Sequence, residues 1–230
     1  MDRGACVIAP KYSPTLVRER ALSNPLECAL TFARGVEIVW AAGTFAGGLL
    51  YDKFQKAEDV ASRSDQLRIM LAELGPSFVK AGQVLANRPD IVRADYMEQL
   101  CKLQDDVPPF PNDQAFRIME EELGCPISDI YSEISPEPIA AASLGQVYKA
   151  KMRSTGEDVA IKVQRPGIEP FIYRDLVLFR GLAFFINAVS IRRLGCNAQL
   201  IVDEFGEKLL EELDYVQEVN PIPRKQNSIP

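Results

Sequence analysis

The chain has 230 residues, 47% of them hydrophobic, 25% charged and 8% aromatic. That is enough ordinary sequence for one or two globular domains, and it excludes a disordered tail, a collagen-like chain and a disulfide miniprotein. There is no histidine, so a Ser-His-Asp triad, a Cys-His dyad, a His-based zinc site and the His-Arg-Asp loop of protein kinases are excluded from this sequence, and 26 basic against 32 acidic residues give a net charge of −6, a poor match to the basic stripe that nucleic acid needs.

In chain order, Met1 to Arg20 has no secretory apolar core. Gly35 to Tyr51 is apolar but carries Glu37 and the interior glycines Gly43, Gly47 and Gly48. It reads as a buried or interfacial helix rather than a membrane span, and Leu176 to Ile191, interrupted by Arg180, reads the same way. Ala57 to Leu74 has helical periodicity through Val60, Leu67, Ile69, Met70, Leu71 and Leu74. Gly75-Pro76 stops it, and Ser77 is placed to cap a helix running from Phe78 to Asn87. Asp90 to Leu103 reads as a short helix, Asp106 to Asn112 as a proline-stiffened connector, and Asp113 to Leu123 as a helix ended by Gly124.

The pattern then changes. Ser135 to Pro138 is turn-rich, Leu144 to Lys151 and Asp158 to Gln164 alternate as strands, and Thr155-Gly156-Glu157 supplies a hairpin turn between them. Pro166-Gly167 stops the second strand, and two helices follow, Ile168 to Leu194 and Asn197 to Val219. In the last helix Ile201, Phe205, Leu209, Leu213 and Val216 form one apolar stripe. The expected fold class is α+β: a mostly helical N-terminal extension, then a small antiparallel sheet and further helices. The expected divisions are an N-terminal helical segment (1–60), a second helical region (61–133), a sheet-containing lobe (134–220) and a disordered proline-rich tail (221–230). The five cysteines, Cys6, Cys28, Cys101, Cys125 and Cys196, form no CxxC pair and read as free thiols, with no metal site.

Three groups of residues carry chemistry. Ala140-Ala141-Ala142-Ser143 leads through a strand into Val159-Ala160-Ile161-Lys162. Small residues let a hairpin backbone approach phosphates, and a strand-mounted lysine reaches them; the bland alternative is a surface lysine on an ordinary hairpin. Glu211, Glu212, Asp214 and Glu218 lie on the last helix, where a carboxylate could pair with the strand lysine or simply face solvent. In Lys80-Ala81-Gly82-Gln83 the mid-helix glycine implies a close approach, while Lys80 and Gln83 share one face.

In combination, Leu74 to Gln83, Ala140 to Ser143, Val159 to Lys162, and Glu212-Leu213-Asp214-Tyr215 with Glu218 resemble the UbiB/ADCK, or activity-of-bc1-complex, family of atypical protein-kinase-like proteins. The likeness runs from about Ala61 to Asn220, and Ala86 to Asp90 and Gly195 to Ala198 look most like chloroplast members of plants and algae, some of which associate with plastoglobules. The resemblance implies a helical extension with a Lys-x-Gly-Gln motif over 61–133 and an incomplete kinase-like small lobe over 134–220. It implies that Lys80 and Gln83 form a latch with Glu212 and Asp214, that Ala140, Ala141, Ala142 and Ser143 cover a nucleotide, and that Lys162 contacts phosphates and pairs with Glu218. It further implies ATP or ADP with magnesium, a role in prenylquinone or lipid homeostasis, a membrane or plastoglobule surface and prenyl lipid as partners, and a chloroplast location. The sequence has no Asp-Phe-Gly motif and only twelve residues after Glu218, so it reads as a truncated isoform, a fragment or a mis-spliced gene model that is catalytically inactive as written. The alternative expectation is a non-catalytic regulatory or membrane-surface adaptor module.

Overall fold

Two prolines start the first helices of the computed structural model, which describes residues 11–55, 60–89, 92–104 and 109–213. Ser13 caps α1 (Pro14–Ala21) by accepting from the Leu16 amide at 3.1 Å, and Pro14 sits where a missing N–H costs nothing. Asn24 does the same for α2 (Pro25–Gln55), accepting from the Glu27 amide at 2.9 Å. At 31 residues α2 is roughly 46 Å long. It contains the apolar Gly35–Tyr51 stretch, yet no helix among the described residues is long and apolar enough to cross a membrane.

A helical hairpin follows: α3 (Val60–Leu74) turns directly into α4 (Pro76–Ala86) through Gly75, whose φ of +92° suits a residue without a side chain. This corrects the expectation for Ser77. The cap position belongs to Gly75, and Ser77 is buried inside the first turn of α4. Next come α5 (Ala94–Cys101), a 3₁₀ turn over Lys102–Gln104, α6 (Asn112–Leu123) closed by Gly124 in the left-handed conformation, and α7 (Ile127–Ile130). Asp90, Ile91 and the first part of the proline-rich connector, residues 106–108, lie outside the described residues.

The sheet comprises β1 (Tyr131–Ile134), β2 (Ala140–Ala141), β3 (Gly145–Met152) and β4 (Asp158–Gln164), all antiparallel. β1 and β2 pair in succession with one edge of β3, so they act as one strand interrupted by Ser135–Pro138, where two prolines break the ladder. β4 pairs along the other edge. Two helices close the described chain, α8 (Ile168–Leu194) and α9 (Ala198–Glu211), the latter capped by Asn197. Of the helix expected to Val219 the described part runs to Glu211, with Glu212 and Leu213 in a turn, and residues from 214 on, the proline-rich tail included, lie outside the described residues. Most of the expected stripe faces the core: Leu209 and Leu213 are buried and Phe205 packs against the same cluster, joined by Gly206 and Leu210, whereas Ile201 is exposed and Val216 lies outside the described residues. Gly206 is required there because a Cβ would come within 2.5 Å of the Tyr12 ring, whose hydroxyl donates to Asp203.

Three apolar clusters result. One joins α1, α8 and α9 around Val17, Ile172, Leu176 and Leu209. A second fills the α3–α4–α5 hairpin around Leu74, Phe78 and Leu100. A third packs α6 onto the sheet through Ala115, Met119, Tyr148 and Val163. The fold class is the α+β arrangement expected from the sequence, helices with one small antiparallel sheet.

Candidate functional site

The sheet has two unlike faces. Residues directly opposite across antiparallel strands share a face, and alternate residues along a strand change face. Gln146 and Val163 form one such pair and Tyr148 and Ile161 the next, and these point into the cluster under α6. Gln146 is fully buried and fully used: its Oε1 accepts from the Phe110 amide at 3.1 Å, and its Nε2 donates to the Phe110 carbonyl at 3.3 Å. The Tyr148 hydroxyl, also bonded to Gln146, donates to Asn112 at 2.6 Å. This network fixes the segment before α6 to the middle of the sheet.

The opposite face is open. The register places Ala140, Val147 and Lys162 in one row across β2, β3 and β4. Ala160 lies on the same face two residues before Lys162, and both are exposed. The row joins two of the residues expected at a nucleotide, Ala140 and Lys162, and adds Val147 and Ala160, which the sequence reading passed over. Their signal was legible: in a strand of period two, Ala160 must share the face of Lys162.

The Ala140–Ser143 segment is a tight hairpin. The Ala142 amide donates to the Gly145 carbonyl at 2.7 Å and the Gly145 amide returns to Ala142 at 3.4 Å, leaving Ser143 and Leu144 as the two-residue loop. Leu144 is only 4% exposed because its side chain enters the helical cluster of α1, α8 and α9. The hairpin is therefore pinned at its tip.

The Lys80–Gln83 motif on α4 divides its work. The Lys80 ammonium reaches Glu212, just past the end of α9, with Nζ 2.5 Å from Oε1. Gly82 faces the other way: a Cβ there would come within 2.5 Å of Leu103 and 3.1 Å of Leu71. Gln83 donates to the Leu103 carbonyl at 3.1 Å, so it ties α4 to the 3₁₀ turn rather than to Glu212. Asp214 and Glu218 lie outside the described residues. No cluster of three carboxylate or thiol groups able to hold a metal occurs among the described residues.

The sequence profile of the ABC1 atypical kinase-like domain matches residues 102–228, more than half of the chain. The Arabidopsis thaliana protein called Activity of bc1 complex kinase 1, chloroplastic, is 62% identical over 224 residues, covering 96% of this chain and 33% of its own length. The chloroplastic kinase 3 of the same series is 43% identical over 94% of this chain and 30% of its own length. A probable protein kinase UbiB of Marinobacter nauticus is 42% identical over 68% of this chain and 28% of its own length. The chain thus spans about a third of the length of these relatives. Both plant relatives are chloroplastic by name, and by that resemblance the chain is assigned to the chloroplast. With an open lysine-bearing sheet face, a helical extension clasped to the end of α9 and this match in sequence, the chain belongs to the ABC1/UbiB family of atypical kinase-like proteins.

Proposed function

We propose that this chain supplies the roof of a nucleotide site for ATP or ADP, in a protein of chloroplast prenylquinone or lipid homeostasis. The observation that carries the reading is the row Ala140–Val147–Lys162 on an open sheet face beside a pinned hairpin. Val147 and Ala160 offer a small apolar surface for a flat base. The Lys162 ammonium suits a phosphate, and Ala140 to Ser143 carry no bulk that would hold a phosphate chain away from the backbone. The nucleotide, when bound, would supply the phosphoryl group. Magnesium would be held chiefly by the phosphates of the nucleotide and neutralise their charge, and no step is assigned to it here. Because the sequence lacks the Asp-Phe-Gly motif, this 230-residue chain by itself binds without turnover.

Titration calorimetry of the purified chain with ATP tests this. Weak binding is expected, reduced about ten-fold by Lys162→Ala, the worth of one charge-assisted hydrogen bond. A sub-micromolar affinity, steady release of phosphate, or a Lys162→Ala chain that binds as well as the parent would overturn it.

A second reading, a membrane-surface adaptor, is favoured by one specific feature. On α2 the exposed side chains of Phe32, Val36, Val39 and Trp40 line an apolar groove with Gly35 and Gly43. Aromatic and aliphatic side chains in such a stripe suit a lipid interface and prenyl lipid. Flotation with phosphatidylcholine–phosphatidylglycerol vesicles is expected for the parent and for Lys162→Ala, and is expected to be lost in Phe32→Glu/Trp40→Glu. A parent chain that stays at the bottom of the gradient excludes this reading.

A further inference from the structure

The Lys80–Glu212 contact closes a ring of elements, and the opposite side of that ring is of a different kind. Arg34 of α2 and Asp175 of α8 are both buried, at 8% and 1% exposure. The guanidinium engages the carboxylate by two bonds, Nε to Oδ1 at 2.8 Å and Nη2 to Oδ2 at 3.2 Å. Its Nη1 donates to Glu37 at 2.8 Å, and Nη2 also donates to the carbonyl of Leu74. That carbonyl ends α3, immediately before the Gly75 corner that starts α4. The guanidinium also lies over the ring of Phe78 in the first turn of α4, 5.6 Å from its centre. Phe78 meets Phe179 of α8 edge-on at 4.8 Å, and Phe179 meets Phe205 of α9 at 6.1 Å.

All three nitrogens of the Arg34 guanidinium are thus engaged, and together they reach three elements: its own helix, α8, and the corner between α3 and α4. Only a planar fork of donors can do this at once; an ammonium on a lysine stem cannot. A buried ion pair is weak evidence of stability but good evidence of a fixed geometry. The Lys80–Glu212 pair is the reverse. Its side chains are 24% and 39% exposed, and exposed pairs of this sort contribute little and exchange readily with water. Lys80 lies four residues beyond Pro76, roughly 6 Å along α4 from the corner that Arg34 holds. A contact that weak cannot by itself decide where α4 lies.

We propose that Arg34 and Asp175 are positioning residues: they form the fixed anchor from which the start of α4 is hung, and Lys80–Glu212 is a clasp at the middle of the helix, free to open without disturbing the anchor. The inference concerns the chain's own geometry and stands whether or not a nucleotide binds.

Zero-length carbodiimide coupling of the native chain reads the clasp directly, as the Lys80–Glu212 linked peptide in a mass-spectrometric digest. The Lys149–Asp158 pair, 3.0 Å apart on the sheet, is the internal reference. The double variant Arg34→Met/Asp175→Leu removes both charges together, which spares the chain an unpaired buried charge. In it the Lys80–Glu212 yield should fall about five-fold or more, with the reference yield unchanged. Arg34→Lys should lower it too, because charge alone does not restore the hold on Leu74. An undiminished Lys80–Glu212 yield in the double variant, with the reference intact, would overturn the proposal. A second measurement decides the matter if that variant fails to fold. In Lys80→Met, amide exchange at Phe78 and Val79, which donate to the Gly75 carbonyl, should match the parent. Acceleration there by about ten-fold or more would mean that clasp and anchor are one unit, and would refute it.

Discussion

Arg34→Met lowers the stability of the chain by about 3–5 kcal/mol at neutral pH, the range for breaking a buried ion pair by removing one partner. Against a total of about 0.05–0.15 kcal/mol per residue for ordinary domains, that is a large share. The cause is Asp175. Burial pushes its carboxyl above the usual carboxylate range, and the Arg34 guanidinium is the main influence acting the other way. Without Arg34 the burial and the nearby Glu37 carboxylate are opposed by the Ser77 hydroxyl, a smaller influence, and the folded-state pKa rises further. A carboxyl whose folded pKa exceeds its unfolded value binds more protons when folded, so stability falls as pH rises through that window and recovers as pH falls. The loss in Arg34→Met is therefore expected to shrink steadily from pH 7 toward the ordinary carboxylate range. Adding Asp175→Asn should recover most of it at neutral pH. Urea melts of the three chains across that range check the sign: a deficit that is flat with pH would show that Asp175 does not ionise at its site.

Much of the fold was legible because its signals are local. The bounds of α8 are the expected Ile168 and Leu194, and a glycine with positive φ flanks each end, Gly167 at 66° and Gly195 at 70°. The strands followed from alternation and from the Thr155-Gly156-Glu157 turn. The misses share a different cause. Ser77 is a good capping residue by type, but Pro76 supplies the first helical φ and hands the cap to Gly75, so the hydroxyl is buried instead. In the α9 stripe Phe205, Leu209 and Leu213 face the core as expected, but Ile201 is exposed, because spacing does not say how far along a helix its neighbours reach. Gly206 had no such signal: its place is set by Tyr12, nearly two hundred residues earlier in the chain, which lies across it.

The candidate site divides in the same way. Lys80, Lys162 and Ala140 to Ser143 stand out because small residues and lone lysines in ordered segments are conspicuous. Gln83 was grouped with Lys80 because the two lie one turn apart, yet its amide goes to Leu103, 20 residues further on. Arg34 and Asp175 left no trace in the sequence. An arginine in an apolar helix and an aspartate in another are 141 residues apart, and only the packing of α2 against α8 makes them partners. Long-range polar pairs of this kind have no periodicity for a sequence reading to find.

Leu144→Ala is the second large effect. Leu144 sits in a two-residue hairpin loop, where a polar or glycine residue is the ordinary choice, yet it is buried among Val17, Ile168, Ile172, Leu209 and Leu210. Its backbone is held as well, since the Arg165 amide donates to its carbonyl at 2.9 Å. Truncation to alanine removes most of the side chain and leaves a cavity between helices that cannot close without moving α8 or α9, so a loss of about 2–5 kcal/mol is expected. The hairpin should also come loose. Amide exchange at Ala142 and Gly145, protected by their mutual bonds, should accelerate more than exchange at Tyr148 in the middle of β3. Leu144→Met, close in volume, should cost less than about 1.5 kcal/mol and leave exchange at the hairpin near that of the parent. Equal acceleration at Ala142 and Tyr148 would mean that Leu144 stabilises the chain as a whole rather than the hairpin in particular. The distinction bears on function: flexible glycine-rich loops close over phosphates by moving, whereas a hairpin nailed to the helices by Leu144 can only present a preformed surface. Through Leu144 the hairpin is packed on α8 and α9, and Glu212, the partner of Lys80, lies just past the end of α9.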